Sequence, residues 1–106
     1  MDKNTLIIIE DVTNALKESG IALAGLYLFG SRSINIYEPE SDYDIAVVLK
    51  TSTTPSIKDM IRSIIYDVML KHDVVIDSHI YSDIEIMEPS TPFREMIRNE
   101  GIYYAA

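Results

Sequence analysis

Residues 28–49, LFGSRSINIYEPESDYDIAVVL, decide the fold. Gly30 and Ser31 end one apolar run, and a second apolar run opens with two aspartates, Asp42 and Asp44, that are spaced by one residue. Carboxylates usually weaken packing where a strand enters a core, because an unpaired buried charge is costly. Their presence at this point therefore indicates a functional reason for the pair.

The apolar pattern around this stretch predicts an alternation of helices and strands. The continuous apolar run that follows Asp44 indicates a strand buried on both faces, as at the centre of a sheet covered by helices. The predicted helices cover residues 5–19, 54–70 and 91–101, the strands cover residues 25–29, 43–50, 74–81 and 102–104, and residues 31–41 form a loop. The last of these strands is predicted to be an edge strand. This order predicts an α+β fold with a small mixed β-sheet flanked by helices.

Composition predicts one domain over residues 1–106, with 47% hydrophobic and 25% charged residues. The formal net charge of −8 argues against direct binding of nucleic acid, which needs a basic face. It fits a divalent cation or a basic protein partner, and solubility alone would also explain it. There is no cysteine, and the apolar run at residues 6–9 is too short for a membrane span, so we expect a cytoplasmic protein.

Three aspartates are the candidate metal ligands. Side chains alternate along a strand, so Asp42 and Asp44 point to one side, with Cα atoms about 7 Å apart, and can share a Mg²⁺ ion. Asp77 lies within the otherwise apolar predicted strand at residues 74–81, where burial without a partner would cost several kcal/mol. If the two strands are neighbours, Asp77 joins the pair, and a cation would relieve the repulsion among the three carboxylates.

Each of these residues also has a simpler interpretation. An Asp-x-Asp at a strand start is often a turn or a cap, and Gly30-Ser31 alone is only a turn. Asp77 alone would be explained by an ion pair with Arg62 or Arg32. The histidines, His72 and His79, are more typical of surface or core positions than of metal ligands.

The combination resembles the nucleotidyltransferase superfamily that includes DNA polymerase beta and the kanamycin nucleotidyltransferases. Gly30-Ser31, ten residues and then Asp42-x-Asp44 match its signature. LYLFGSR is similar to its strand with the glycine-serine turn, SDYDIAVVL to its aspartate strand, VIDSHIYSDIEI to the later strand that bears its third carboxylate, and TPFREMIRNEGIYY to its closing helix and strand. The chain resembles in particular the minimal nucleotidyltransferases, which have about this length. The resemblance covers nearly the whole chain and implies the nucleotidyltransferase fold.

The resemblance also implies roles for the glycine-serine turn. Gly30 and Ser31 would hold the β- and γ-phosphates of a nucleotide, and Arg32 would contact phosphate or pair with a carboxylate. Family members often continue this turn as Gly-Ser-Arg-Ala-Arg-Gly, whereas residues 33–35 here read Ser-Ile-Asn. This departure implies a phosphate loop of different shape.

For the carboxylates, the resemblance implies metal-dependent chemistry. Asp42 and Asp44 would bind two Mg²⁺ ions together with the triphosphate, and Asp77 would help to hold the second ion and activate an acceptor hydroxyl. All three would thus be catalytic and metal-binding residues. The two-metal arrangement is typical of displacement at phosphorus.

The function implied is transfer of a nucleoside monophosphate, most plausibly AMP from ATP, to a tyrosine of a HEPN-domain toxin, which would make the protein an antitoxin. Two alternatives stay open: an antitoxin that masks its toxin by contact alone, and an enzyme acting on an aminoglycoside-like molecule. Enzymes of the last kind usually carry an additional helical domain. Because a domain of this size has little surface to enclose nucleotide and acceptor, a protein partner or a second copy of the chain is expected to complete the site.

Overall fold

The computed structural model of the protein describes residues 3–30, 42–88 and 91–106. The helices are α1 (Lys3–Glu18), α2 (Pro55–His72), α3 (Asp83–Met87) and α4 (Pro92–Glu100), and the strands are β1 (Leu23–Phe29), β2 (Tyr43–Leu49), β3 (Ile76–Ser82) and β4 (Ile102–Ala105). The strands form one sheet in the order β3-β2-β1-β4. The predicted α+β class with a small sheet flanked by helices is confirmed.

The sheet is mixed. β1 pairs antiparallel with both β2 and β4, whereas β2 pairs parallel with β3. β2 lies inside the sheet, and every residue from Ile45 to Leu49 is buried, as the continuous apolar run predicted. β4 lies at one end of the strand order, which confirms the predicted edge strand.

Two apolar cores lie on opposite faces of this sheet. The larger core packs α1 and α2 against the sheet through residues such as Val12, Leu16 and Ile61. The smaller core packs α3 and α4 against the other face and includes Ile86 and Ile97. In the part of the chain that the structure describes, no helix is long and apolar enough to cross a membrane.

The helix starts follow the rules of capping. Thr54 and Thr91 each precede a proline, and their hydroxyls accept hydrogen bonds from the amides of Ile57, at 3.1 Å, and Arg94, at 3.2 Å. The sequence prediction had no helix at α3. Its signal was present, because Ser82 and Glu85 form a capping box that begins this short helix.

A polar contact joins α1 to α2 on the larger-core face. The Asp11 carboxylate accepts from Lys71 Nζ at 3.2 Å and contacts His72 Nε2 at 2.5 Å. These hydrogen bonds, first that of His72 and then that of Lys71, hold the pKa of Asp11 below its ordinary value. His72 therefore has a structural partner, Asp11, on a neighbouring helix, which fits the simpler interpretation of this histidine.

We expect Asp11→Asn to lower the free energy of unfolding by about 1 kcal/mol at neutral pH. A lowered carboxyl pKa contributes stability above the unfolded-state value of about 3.9, and that contribution is lost as the pH falls through the folded-state pKa. The wild-type and variant stabilities should therefore converge in acid. Urea unfolding at about pH 6 and about pH 2 measures this. Asp59→Asn, which removes an exposed pair with Arg62, is the control and should change little; an equal loss in both variants at both pH values would contradict the argument.

Candidate active site

The strand register brings two of the three predicted aspartates together. Asp44 of β2 and Asp77 of β3 are direct partners in the parallel pair, so their Cα atoms are neighbours at about the 4.8 Å spacing of adjacent strands and their side chains share a face. On its other side Asp44 is the partner of Phe29 in β1. Asp42 is exposed and lies immediately before β2. The predicted cluster required that the strands of Asp44 and Asp77 be neighbours, and β2 and β3 are neighbours in the sheet.

The glycine turn meets this cluster directly. Gly30 follows β1 and has a φ of +73°, in the left-handed region that favours glycine. A Cβ atom at this position would collide with the Asp44 carboxylate. Gly30 and Asp44, from two motifs that are ten residues apart in the sequence, thus come into contact, and the absence of a side chain at Gly30 leaves room for the carboxylate in this position.

The surroundings of Asp44 disfavour the ionised form of its carboxyl group. Burial raises the pKa of Asp44 above its ordinary value, and the negative charges of Asp77 and Asp42 raise it further, while His79 acts in the opposite direction. The folded chain therefore holds a carboxylate in a place that disfavours its charge. A bound cation would remove this penalty, which is the expected property of a metal ligand.

Asp77 is more exposed than the sequence pattern indicated. Its side chain is 56% exposed, because β3 lies at the end of the strand order. The expectation that Asp77 needs a partner because it is buried is therefore wrong. Its contact is with Nε2 of His79, at 3.3 Å. Of the two arginines considered as partners, Arg62 pairs with Asp59 at 3.4 Å, and Arg32 lies outside the described residues.

The donor set fits magnesium. Across residues 3–30, 42–88 and 91–106, no three histidine, cysteine, aspartate or glutamate side chains are grouped closely enough to hold a metal ion on their own. Magnesium commonly binds through one or two carboxylates together with waters and substrate phosphates rather than within an all-protein cage. The adjacent Asp44 and Asp77, with Asp42 beside them, provide such a set of oxygen donors. Ser31, the predicted phosphate-binding hydroxyl, lies outside the described residues.

One group of side chains near the aspartates was missed by the sequence interpretation. The rings of Phe29, His79 and Phe93 contact one another, with centroid distances of 5.1 to 5.7 Å. The sequence did place His79 on the strand face that carries Asp77, and this alternation was the available signal. The place of Phe93 depends on how α4 packs over the sheet, which no local pattern encodes.

A glycine turn in contact with adjacent carboxylates, on a mixed sheet between helices, defines a nucleotidyltransferase type of site. The chain belongs to the polymerase beta nucleotidyltransferase family, whose model matches residues 10–102. No curated protein matches the chain in sequence.

Three of the solved structures with a similar fold are toxin–antitoxin complexes. A chain of a toxin–antitoxin complex with AMP-PNP superposes with a TM-score of 0.67 and 19% identity, covering 92% of this chain and 73% of that one. A chain of the MntA–HepT toxin–antitoxin superposes with a TM-score of 0.62 and 17% identity, covering 95% of this chain and 73% of that one. The third structure is a complex of tri-AMPylated Shewanella oneidensis HEPN toxin with MNT antitoxin. One of its chains superposes with a TM-score of 0.60 and 16% identity, covering 95% of this chain and 72% of that one.

Proposed function

We propose that the protein transfers a nucleoside monophosphate, AMP from ATP, to a tyrosine hydroxyl of a HEPN-domain toxin and thereby acts as an antitoxin. The observation that carries the proposal is the contact of the Gly30 turn with Asp44, which the strand register places beside Asp77. A triphosphate needs close approach to a backbone turn at one end and metal-binding carboxylates at the other. This corner of the sheet offers both.

In the proposed reaction, Gly30, Ser31 and Arg32 bind the β- and γ-phosphates, and Asp42 and Asp44 would hold the metal ions that neutralise the triphosphate. Asp77 accepts the proton of the acceptor hydroxyl as its oxygen attacks the α-phosphorus in line. The bond from the α-phosphorus to the oxygen that bridges to the β-phosphate breaks, and pyrophosphate leaves with that oxygen. Two Mg²⁺ ions held by the three aspartates would supply charge neutralisation for the triphosphate and the leaving group.

The comparisons support a protein acceptor. One similar structure contains AMP-PNP and another a tri-AMPylated HEPN toxin, each with an antitoxin. The net charge of −8 also suits a basic protein surface better than an RNA acceptor. A protein acceptor would in addition cover the exposed side of Asp77 and so exclude water from the reacting groups.

The test is incubation of the purified protein with a HEPN-domain partner, ATP and Mg²⁺, followed by intact-mass measurement of the partner. We expect the partner to gain the mass of one or more AMP groups and to lose its toxicity. The double variant Asp42→Asn, Asp44→Asn should abolish the mass gain and the neutralisation together, because both depend on the metal-bound triphosphate. Asp59→Asn is the matched control, since it removes an exposed carboxylate from α2.

Two other outcomes would overturn the proposal in different ways. An unchanged partner mass with wild-type protein would exclude transfer to that partner. Neutralisation that survives in the double variant would show that the protein masks its toxin by contact alone.

A further inference from the structure

His79 connects Asp77 to the aromatic group beside the active site. Its Nε2 lies 3.3 Å from Oδ2 of Asp77, two residues away on the same face of β3. An aspartate that is more than half exposed, on the last strand of the sheet, has several rotamers open to it. A hydrogen bond to a fixed partner would select one of them.

The partner is itself held in place. The His79 ring lies 5.1 Å from the ring of Phe93 and 5.7 Å from that of Phe29, within the range of favourable aromatic pairs. Phe29 and Phe93 also contact each other edge to face, with an interplanar angle of 84°. Phe29 is only 4% exposed and belongs to the smaller core. The imidazole therefore packs against two aromatic rings, and one of them, that of Phe29, is buried in the smaller core.

We propose that His79 is a positioning residue that fixes the Asp77 carboxylate beside Asp44, and that Phe29 and Phe93 hold the imidazole for this task. The effect on catalysis rests on the proposed function, whereas the coupling between His79 and Asp77 does not. The contact requires a hydrogen on Nε2, which both the imidazolium and one neutral tautomer carry. The proposal thus requires that Nε2 of His79 bears hydrogen.

The first test measures this coupling without any activity. The chain has two histidines, so a long-range ¹H–¹⁵N spectrum of the metal-free protein shows two imidazoles. We expect the His79 ring to carry hydrogen on Nε2, and Asp77→Asn to change its ring ¹⁵N shifts while those of His72 stay the same. Asp11→Asn should do the reverse, because Asp11 is the partner of His72. Asp59→Asn should move neither. A His79 ring without hydrogen on Nε2, or one whose shifts are unaffected by Asp77→Asn, would overturn the proposal.

The second test asks whether the coupling supports transfer. His79→Phe keeps an aromatic ring between Phe29 and Phe93 but removes the nitrogen, and we expect kcat to fall by about 10- to 100-fold with the KM for ATP nearly unchanged. His79→Gln places an amide nitrogen near the position of Nε2 and should recover much of the loss. A residue needed only for packing would show the opposite order, with Phe tolerated and Gln harmful.

A double-mutant cycle completes the test. If His79 acts through Asp77, His79→Phe should cause little further loss in the Asp77→Asn background. Full additivity would mean that the two residues act independently and would overturn the proposal. If wild-type protein shows no transfer at all, the proposed function fails, and the imidazole spectra alone then decide the coupling.

Discussion

Asp44→Asn is expected to reduce nucleotidyl transfer by more than about 100-fold and, in the same protein, to raise the melting temperature in the absence of metal. The loss of transfer follows because Asp44 is the aspartate that contacts the Gly30 turn and neighbours Asp77. The gain in stability follows because burial and two like charges disfavour the ionised carboxylate. An amide of the same shape occupies the position without a charge.

The pH dependence of this effect has a definite sign. The pKa of Asp44 is raised in the folded protein, so the ionised group costs nothing below the unfolded-state pKa of about 3.9, where it is protonated in both states. The cost appears as the pH rises above that value and is complete above the raised folded-state pKa. The variant should therefore be more stable than wild type at neutral pH and equally stable in acid.

Thermal unfolding of metal-free protein at about pH 7 and about pH 3 checks the stability, and the partner-mass assay checks the transfer. Asp59→Asn serves as the control, because its side chain is 80% exposed and pairs only at the surface. A variant that is less stable than wild type at neutral pH would show that Asp44 is held by stabilising contacts. Retained transfer would show that another group binds the triphosphate.

Features that depend on neighbouring residues in sequence could be predicted. The apolar run after Asp44 specified the buried central strand, and the Thr-Pro pairs at residues 54–55 and 91–92 specified two helix starts. Gly20, at a φ of +81°, lies just past α1, as expected of a glycine that ends a helix. Each of these signals acts over a few residues, so it is visible without knowledge of the fold.

Features that depend on tertiary packing could not be predicted from the sequence. The exposure of Asp77 follows from the place of β3 at the end of the strand order, which the apolar character of its strand does not reveal. The alternation of side chains predicted the strand face on which Asp44 and Asp77 each lie. That the two residues lie directly opposite each other depends on the register between β2 and β3, which neither strand's sequence specifies alone. The contact of Phe93 with His79 joins residues from α4 and β3, so it could be found only in three dimensions.

Under the proposed function, the cluster around Asp44 lowers the stability of the metal-free protein in return for a metal site. A carboxylate with a raised pKa lies beside two others on a face that otherwise holds an apolar core. Sites that hold unfavourable charges in the absence of their ligand commonly recover the cost on binding. The positive contribution of a bound cation and nucleotide to the melting temperature should therefore be larger in wild type than in Asp44→Asn.

Gly30→Ala is expected to cause the second large loss of transfer. Its added Cβ would collide with the Asp44 carboxylate, which would have to turn away from Asp77, and the φ of +73° is unfavourable for alanine by about 1 to 2 kcal/mol. The change therefore combines a backbone cost with the displacement of a carboxylate that belongs to the proposed metal site. Gly20→Ala separates the two, because Gly20 has a φ of +81° and a Cβ there would meet nothing within 4 Å.

Both variants should lose about the same stability, by about 1 to 2 kcal/mol in urea unfolding, because both place alanine in the left-handed region. Only Gly30→Ala should also lose transfer, by about 10- to 100-fold at temperatures where both variants are folded, because only there does the methyl group reach Asp44. Equal transfer by the two variants would mean that the position of the Asp44 carboxylate against the turn is irrelevant to the reaction. Loss of transfer in Gly30→Ala alone would show that the open space at Gly30, which admits both the Asp44 carboxylate and the phosphates of the proposed substrate, and not general stability, limits catalysis.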